Sequence, residues 1–320
     1  MLVAISGGAG YLGAIAATEL RAAGHEVRVL DALIHGQHKV AGELVAAGVE
    51  LIEGDVRDAE MRERLLSGAG ALVHLAAIVG DPACAKAPEL AAAVNLEASR
   101  ELFSEAARLG VERTVFASTC SNYGRMSDPS TPIDEEGVLA PVSLYAEQKV
   151  AIERMLLEGE GGAVCLRFAT LYGVAPRMRF DLTVNEFTRE LWAGRPLEVF
   201  GELFWRPYVH VADAARAIGL VLEAPLADVA GEVFNVGSPE ENYRKLDLVE
   251  IISRRISDGD VRYVHRDEDP RDYKVGFAKI HRVFGFEPRM RVPDGVEEIA
   301  AGLDDERFGD PFAAGFANVS

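Results

Sequence analysis

Short apolar runs alternate with longer stretches of helical periodicity through the first half of the chain, and this alternation most constrains its fold. Residues 2–6, 26–30, 50–54, 71–74, 113–118 and 163–168 are runs of strand length, several rich in Val, Ile or Leu. Their continuous apolar character predicts strands buried on both faces. The clearest helix lies between Pro88 and Leu109, where Leu90, Val94, Ala98, Leu102, Ala106 and Leu109 form one apolar stripe. A proline start and the stop at Gly110 frame it. Strands alternating with helices in this way predict an α/β fold, a doubly wound parallel sheet with helices on both faces.

After residue 175 the rhythm changes. Pro176, Pro196, Pro207, Pro225, Pro239, Pro270, Pro288 and Pro293 punctuate shorter elements, and arginines cluster with aromatic residues. Two units are expected: a first one over residues 1–174, to which residues 208–237 cross back, and a smaller mixed α/β lobe from 175–207 and 238–320. Residues 302–320 read as an irregular tail.

Charge narrows the function classes. The 320 residues carry a formal net charge of −18, and such a surface repels phosphate backbones and anionic lipid. Nucleic-acid and membrane partners are therefore not expected, and any anionic ligand needs arginines concentrated locally. The longest stretches without charged residues, 1–18 and 65–80, both fall short of the roughly 20 apolar residues that span a bilayer. Cys84, Cys120 and Cys165 are too few and too scattered for a disulfide framework or a zinc site. Met1 runs straight into the first apolar run, with no leader pattern, so a reduced, cytoplasmic location is expected.

The turn after the first predicted strand reads Ser6-Gly7-Gly8-Ala9-Gly10-Tyr11-Leu12-Gly13 and opens a helix. Gly7, Gly10 and Gly13 permit a tight turn, a close approach of backbone to a pyrophosphate, and packing of helix on strand. The helix N-terminus then presents amides and a positive dipole end to phosphate. Asp31 closes the second strand, where a carboxylate accepts both ribose hydroxyls and repels a 2′-phosphate, so the expected cofactor is NAD rather than NADP. Asp55 and Val56 after the third strand, and Leu75, Ala76 and Ala77 after the fourth, are candidate walls of the same pocket. A helix-capping role for Asp31, an exposed turn at Asp55 and plain packing for the alanines are the alternatives.

Chemistry is carried by Tyr145 and Lys149, one turn apart on a helix predicted over residues 145–157. A free phenol titrates near 10 and is a poor base at neutral pH; a nearby ammonium favours the phenolate. Ser118, Thr119, Cys120, Ser121 and Asn122 follow the fifth strand, at the carboxyl edge where doubly wound sheets bind their ligands. Small hydroxyls there are able to bond a substrate oxygen shared with the tyrosine.

Glycine turn, acidic residue, hydroxyl strand end and Tyr/Lys pair occur in that order, and the chain resembles the extended short-chain dehydrogenase/reductases of the nucleotide-sugar epimerase/dehydratase type over nearly its whole length. The resemblance implies Thr119, Tyr145 and Lys149 as catalytic residues. For the cofactor it implies Gly7, Gly10, Tyr11, Leu12, Gly13, Asp31, Asp55, Val56, Leu75, Ala76, Ala77, Ser118, Tyr145, Lys149 and Phe168. Residues 167–173 resemble the family strand that leads into the sugar pocket, and residues 206–211 the segment whose arginine grips a diphosphate. Thr119, Tyr145, Thr170, Asn185, Arg206 and Arg271 are the expected contacts of a nucleoside-diphosphate sugar, with helix entry as the equal alternative for Asn185 and a solvated surface place for at least one of the arginines. Arg177 and Arg179 are further candidates for local positive charge. Trp205, Phe180 and Phe204 either stack on a base or fill the second lobe's core, and His74 and His210 read as structural.

Departures from the family pattern bear on the reaction. Thr170 stands where an Asn is usual, and Pro207 where an Asp is usual. Family dehydratases carry Asp-Glu directly after the catalytic Thr, and family decarboxylases a Glu at the first of those positions; here Cys120 and Ser121 stand there. Elimination of water needs an acid and a base, so the expectation is 4-epimerisation, with Cys120 as a space-filler unless it ionises. A one-way 4-ketoreductase, a dehydratase and a non-catalytic NAD-dependent sensor or scaffold are the alternatives. The resemblance also implies a homodimer formed through the helices near 88–109 and 142–157.

Overall fold

The computed structural model describes residues 1–126, 131–159, 162–256, 259–265 and 271–318. In chain order its elements are β1 (Leu2–Ser6), α1 (Gly13–Ala22), β2 (Glu26–Asp31), α2 (His38–Ala46), β3 (Glu50–Glu53), α3 (Ala59–Leu66), β4 (Ala71–His74), α4 (Asp81–Lys86), α5 (Pro88–Ala92), a π-helical turn (Ala93–Ala98), α6 (Ser99–Arg108), β5 (Arg113–Thr119), α7 (Leu144–Glu158), β6 (Ala163–Phe168), β7 (Thr170–Tyr172), α8 (Thr183–Trp192), β8 (Leu197–Phe200), β9 (Trp205–His210), α9 (Val211–Glu223), α10 (Leu226–Val229), β10 (Val233–Val236), β11 (Asn242–Arg244), α11 (Lys245–Ser253), β12 (Val261–Val264), α12 (Ala278–Phe284) and α13 (Val292–Asp304). Short 3-10 turns join several of them.

Seven strands form one parallel sheet in the order β3-β2-β1-β4-β5-β6-β10. Chain direction across the sheet reverses between β1 and β4, so the carboxyl ends of those two strands open a crevice. Alternation along the strands feeds two cores. Val3, Ile5, Val29, Val73 and Val115 pack with α1, α2 and α9 on one face. Ala4, Leu30, Leu72 and Phe116 pack with Leu65, Leu102, Phe103 and Ile152 on the other. Both faces of β4 and β6 are covered, which is why those runs carry no polar alternation.

In the later part of the chain β10 pairs with β6 at the edge of the main sheet, and α9 packs on α1. The strand before them does otherwise: β9 pairs in parallel with β7 and antiparallel with β11 in a separate three-stranded sheet. β8 and β12 make a further parallel pair.

Two local expectations are corrected. The helix predicted between Pro88 and Leu109 is interrupted by the π turn at Ala93–Ala98. The extra residue of that turn rotates Asn95, which lies off the apolar stripe, into the interior. Its side chain there accepts from the Ile78 amide at 2.8 Å and donates to the Ile78 carbonyl and to Gln148. Residues 305–318 are irregular as read, apart from a 3-10 turn at Ala314–Phe316, but Gly302 lies within α13, and the segment is packed, with Phe308 and Phe316 closing edge-on around the buried ring of Phe180. The Phe180 amide donates to the carbonyl of Phe316 at 2.8 Å. Phe180 is therefore a core residue rather than a base-stacking one.

Candidate active site

A cavity of about 450 Å³ runs from the glycine turn, past the carboxyl ends of β2, β3 and β4, to the ends of β5 and β6. Gly7, at φ +77°, floors one end; a Cβ there would lie 2.6 Å from the Ala76 nitrogen. A Cβ on Gly13 would stand 2.2 Å from the Gly7 carbonyl oxygen. Side chains at these positions would fill the cradle, and no side chain caps the first turn of α1. An uncapped helix end behind a glycine turn suits a dinucleotide's phosphates.

Asp31 ends β2 inside this cavity, with its carboxylate accepting from the amides of Ala9 and Leu33, both at 2.9 Å. Burial pushes its pKa up against those two donors. A carboxylate has about four acceptor positions, so the two amides leave capacity for hydroxyl donors. Asp55 lines the same end in a bidentate pair with Arg57 that holds its pKa down. Val56, Leu75, Ala76 and Ala77 supply the apolar walls. Tyr11 and Leu12 line the cavity as well, but the Tyr11 hydroxyl donates to the Gly173 carbonyl at 2.5 Å and thereby ties the glycine turn to the segment after β7.

At the other end α7 presents Tyr145 and Lys149. Ser143 caps this helix, its Oγ accepting from the Ala146 amide at 3.3 Å. Lys149 is buried, donates to the Ala117 carbonyl at 2.7 Å, and lies 4.6 Å from the Phe116 ring and 5.8 Å from the Tyr145 ring. Burial lowers its pKa to about 8. Burial also pushes the Tyr145 phenol well above its usual value, with the nearby Cys84 and Asp81 acting the same way and Arg179 opposing them. In this state the phenol keeps its proton, and added positive charge beside it is what would make it a base.

Thr119, Ser121, Thr170, Phe168 and Tyr273 line the cavity around these two residues. Ser118 also lines it, yet its hydroxyl donates to Glu153 at 2.7 Å and accepts from Asn122 at 3.0 Å. Glu153 in turn holds the buried guanidinium of Arg167. This ion pair ties α7 to β6 behind the site and sets where Tyr145 stands relative to the strand ends.

Several residues lie elsewhere than expected. Asn185, an expected substrate contact, is fully buried: its carbonyl accepts from the Gly173 amide at 2.9 Å, and its amide donates to Tyr11 and to the Arg179 carbonyl. It braces the turn instead of facing the cavity. Arg206 is also outside the lining; it donates to the Trp205 carbonyl and stacks behind Tyr273 at 5.4 Å. Arg271 does line the cavity and is bonded to Asp81 at 2.8 Å. Cys120 is buried, its thiol donating to the Arg167 carbonyl at 3.2 Å, and burial pushes its pKa up, so the reading of Cys120 as an ionised base is overturned. His74 bridges the hydroxyls of Ser6 and Ser99, and His210 bonds Glu298, both inside the core as anticipated.

Sequence reasoning missed Asn95 and Tyr273. A polar residue inside an otherwise regular apolar helix was a signal for Asn95; for Tyr273, a lone aromatic in a polar stretch, nothing distinguished it. Among the described residues no three His, Cys, Asp or Glu side chains gather to hold a metal ion, and no helix is long and apolar enough to cross a membrane.

Comparison with known proteins places this geometry in context. A family described as "NAD dependent epimerase/dehydratase family" matches residues 3–237. The dTDP-glucose 4,6-dehydratase of Streptomyces niveus is 28% identical, with 96% of this chain and 94% of the relative covered. The UDP-glucose 4-epimerase of Lacticaseibacillus casei is 27% identical over 97% of this chain and 99% of its own. Among solved structures, a dTDP-glucose 4,6-dehydratase from Streptomyces venezuelae with NAD bound superposes with a TM-score of 0.86 at 25% identity, covering 98% of this chain and 100% of that one. Two different reactions are thus represented at nearly equal similarity.

Proposed function

The chain belongs to the NAD-dependent epimerase/dehydratase family, and from that premise we propose that it inverts C4 of a nucleoside-diphosphate sugar. One observation carries the choice of reaction. Among the described residues the only carboxylates lining the cavity are Asp31 and Asp55, both at the glycine-turn end, far along the cavity from Tyr145. Around Tyr145 the lining polar groups are hydroxyls, Lys149, Arg179 and Arg271; the nearby Asp81 lies outside the lining, bonded to Arg271, and Cys120 is withdrawn into the core. Elimination of water needs an acid and a base at neighbouring carbons, whereas epimerisation needs a single group that moves one hydroxyl proton.

In this reading residues 1–174 with 208–237 hold the cofactor, and residues 175–207 with 238–320 cover the sugar nucleotide. NAD, when bound, supplies the hydride acceptor and donor for the carbon being inverted. The glycine turn and the first turn of α1 hold its phosphates, and Asp31 its adenosine ribose. Tyr145 takes the proton of the C4 hydroxyl and later returns it, with the Lys149 charge opposing the burial that otherwise keeps the phenol protonated. Thr119 orients the same sugar oxygen, and Arg271 offers charge to the diphosphate. A homodimer belongs to the same reading.

The test is incubation of the purified protein with a panel of nucleotide sugars in deuterated water, with no added cofactor, read by mass spectrometry and NMR. A C4-inverted product of unchanged mass and free of deuterium is expected. Loss of water with deuterium uptake would make the protein a dehydratase. Turnover only with added reduced cofactor and a 4-keto sugar would make it a ketoreductase.

A further inference from the structure

Arg177 sits in the segment between β7 and α8, just after Pro176. It lines the cavity while only 7% exposed, and its Nε and Nη2 have no hydrogen-bond partner among the described residues. The neighbouring Arg179 is different: Asp181 holds it bidentate at 2.9 and 2.8 Å. Arg177 feels Arg179 and Asp181 and, across the cavity wall, Asp31 at the end of β2. His35, on the loop after β2, also lies within the field of both arginines; burial, then Arg177 and Arg179, push its pKa down to about 4, so it adds no positive charge at neutral pH.

A buried guanidinium without partners is costly, because its lost water bonds are not replaced. Its position in a chain of net charge −18 makes the omission more telling: carboxylates are abundant, yet none among the described residues bonds its Nε or Nη2. Segments around it are well determined by packing. Phe180 is locked between Phe308 and Phe316, and the amide of Asn318, itself a lining residue, donates to Asp181 at 3.1 Å. Arg177 is thus held at the cavity by a braced segment, with donor capacity left over.

We infer that Arg177 binds the diphosphate of the dinucleotide from the side opposite the glycine turn, so that the second lobe contributes directly to holding the cofactor. The inference rests on the cavity taking a dinucleotide. Neutral amides and a helix end face the phosphates from α1; a full charge from Arg177 completes the site on the other side. Rotation of the side chain would bring the Nε–Nη2 edge, which bonds nothing in its present position, onto two phosphate oxygens at once. Asp31 beside it disfavours a 2′-phosphate, and for that reason the 5′-diphosphate is assigned as the ligand.

Binding of ADP-ribose, adenosine and 2′-phospho-ADP-ribose to the full chain freed of nucleotide tests this by calorimetry or NMR titration. Arg177→Met is expected to weaken ADP-ribose by roughly 10- to 100-fold, the range for a charged hydrogen bond, while adenosine changes by less than about twofold. Arg177→Lys should recover part of the loss. Removing an unpaired buried charge should also leave the Tm of the nucleotide-free variant equal to or above that of the wild type. Equal weakening of adenosine and ADP-ribose would assign Arg177 to the base or ribose instead. A loss confined to the 2′-phosphorylated ligand, no loss at all, or a lowered Tm without ligand would each overturn the inference. If the wild type itself fails to bind ADP-ribose, the dinucleotide reading of the cavity falls with it.

Discussion

The Asp81 carboxylate joins the guanidinium of Arg271, at 2.8 Å, to the hydroxyl of Ser143, at 2.6 Å. One acid therefore links an arginine of the cavity lining to the cap of the helix that carries Tyr145. A substrate diphosphate would compete with Asp81 for that guanidinium. Asp81→Asn should lower KM for the sugar nucleotide by about two- to tenfold, with added salt narrowing the difference, as for partly exposed ion pairs. Arg271→Met should raise KM by more than it lowers kcat. Steady-state kinetics at two ionic strengths measures both.

Tyr145 tests the chemistry. Tyr145→Phe keeps the ring's packing but removes the proton-carrying oxygen, so turnover should fall by roughly 10²- to 10⁴-fold. Affinity for ADP-ribose should hardly change, because Asp31 and the glycine turn lie at the other end of the cavity. Near wild-type turnover in this variant would exclude the proposed proton transfer.

Lys149 has a signature in stability. Its folded pKa of about 8 lies below the usual lysine value near 10.4, so the unfolded chain binds more protons between those values. Stability from this group is therefore reduced at neutral pH and recovers as pH rises from about 8 to 10. In the nucleotide-free protein, Lys149→Met should gain up to ~3 kcal/mol on the wild type at pH 7, less the lost bond to Ala117. The difference should shrink toward pH 10, as urea denaturation across that range would record.

Behind the site, Glu153→Gln would leave the buried Arg167 guanidinium facing a neutral amide. A loss of about 3–5 kcal/mol is expected from breaking a buried pair on one side. Chemical denaturation measures it, and a loss below about 1 kcal/mol would mean that the interior relaxes around the charge.

Local spacing made much of the fold and one part of the site legible. A run of apolar residues four to seven long between helical stretches has few outcomes other than a covered parallel strand, and residues 71–74 and 163–168 form β4 and β6 as read. Gly7 and Gly13 announced the cradle because only a missing Cβ satisfies contacts of 2.6 and 2.2 Å. Tyr145 and Lys149 share a helix face by period alone. Asn185 and Arg206 show where this stops. Both were read at a sugar diphosphate, and both turn to backbone carbonyls beneath the cavity wall, while Arg177, two residues from a similar arginine, has no partner for Nε and Nη2 among the described residues.

What the chain's order of residues determined by itself was therefore backbone: where strands run, where the glycine turn falls, and which helix faces carry Tyr145 and Lys149. The tertiary structure alone decided which long polar side chains reach the cavity. Their four or five bonds of reach can satisfy several partners, and the choice depends on elements brought together from distant parts of the chain, such as the Phe308–Phe316 clasp that seats residues 176–182.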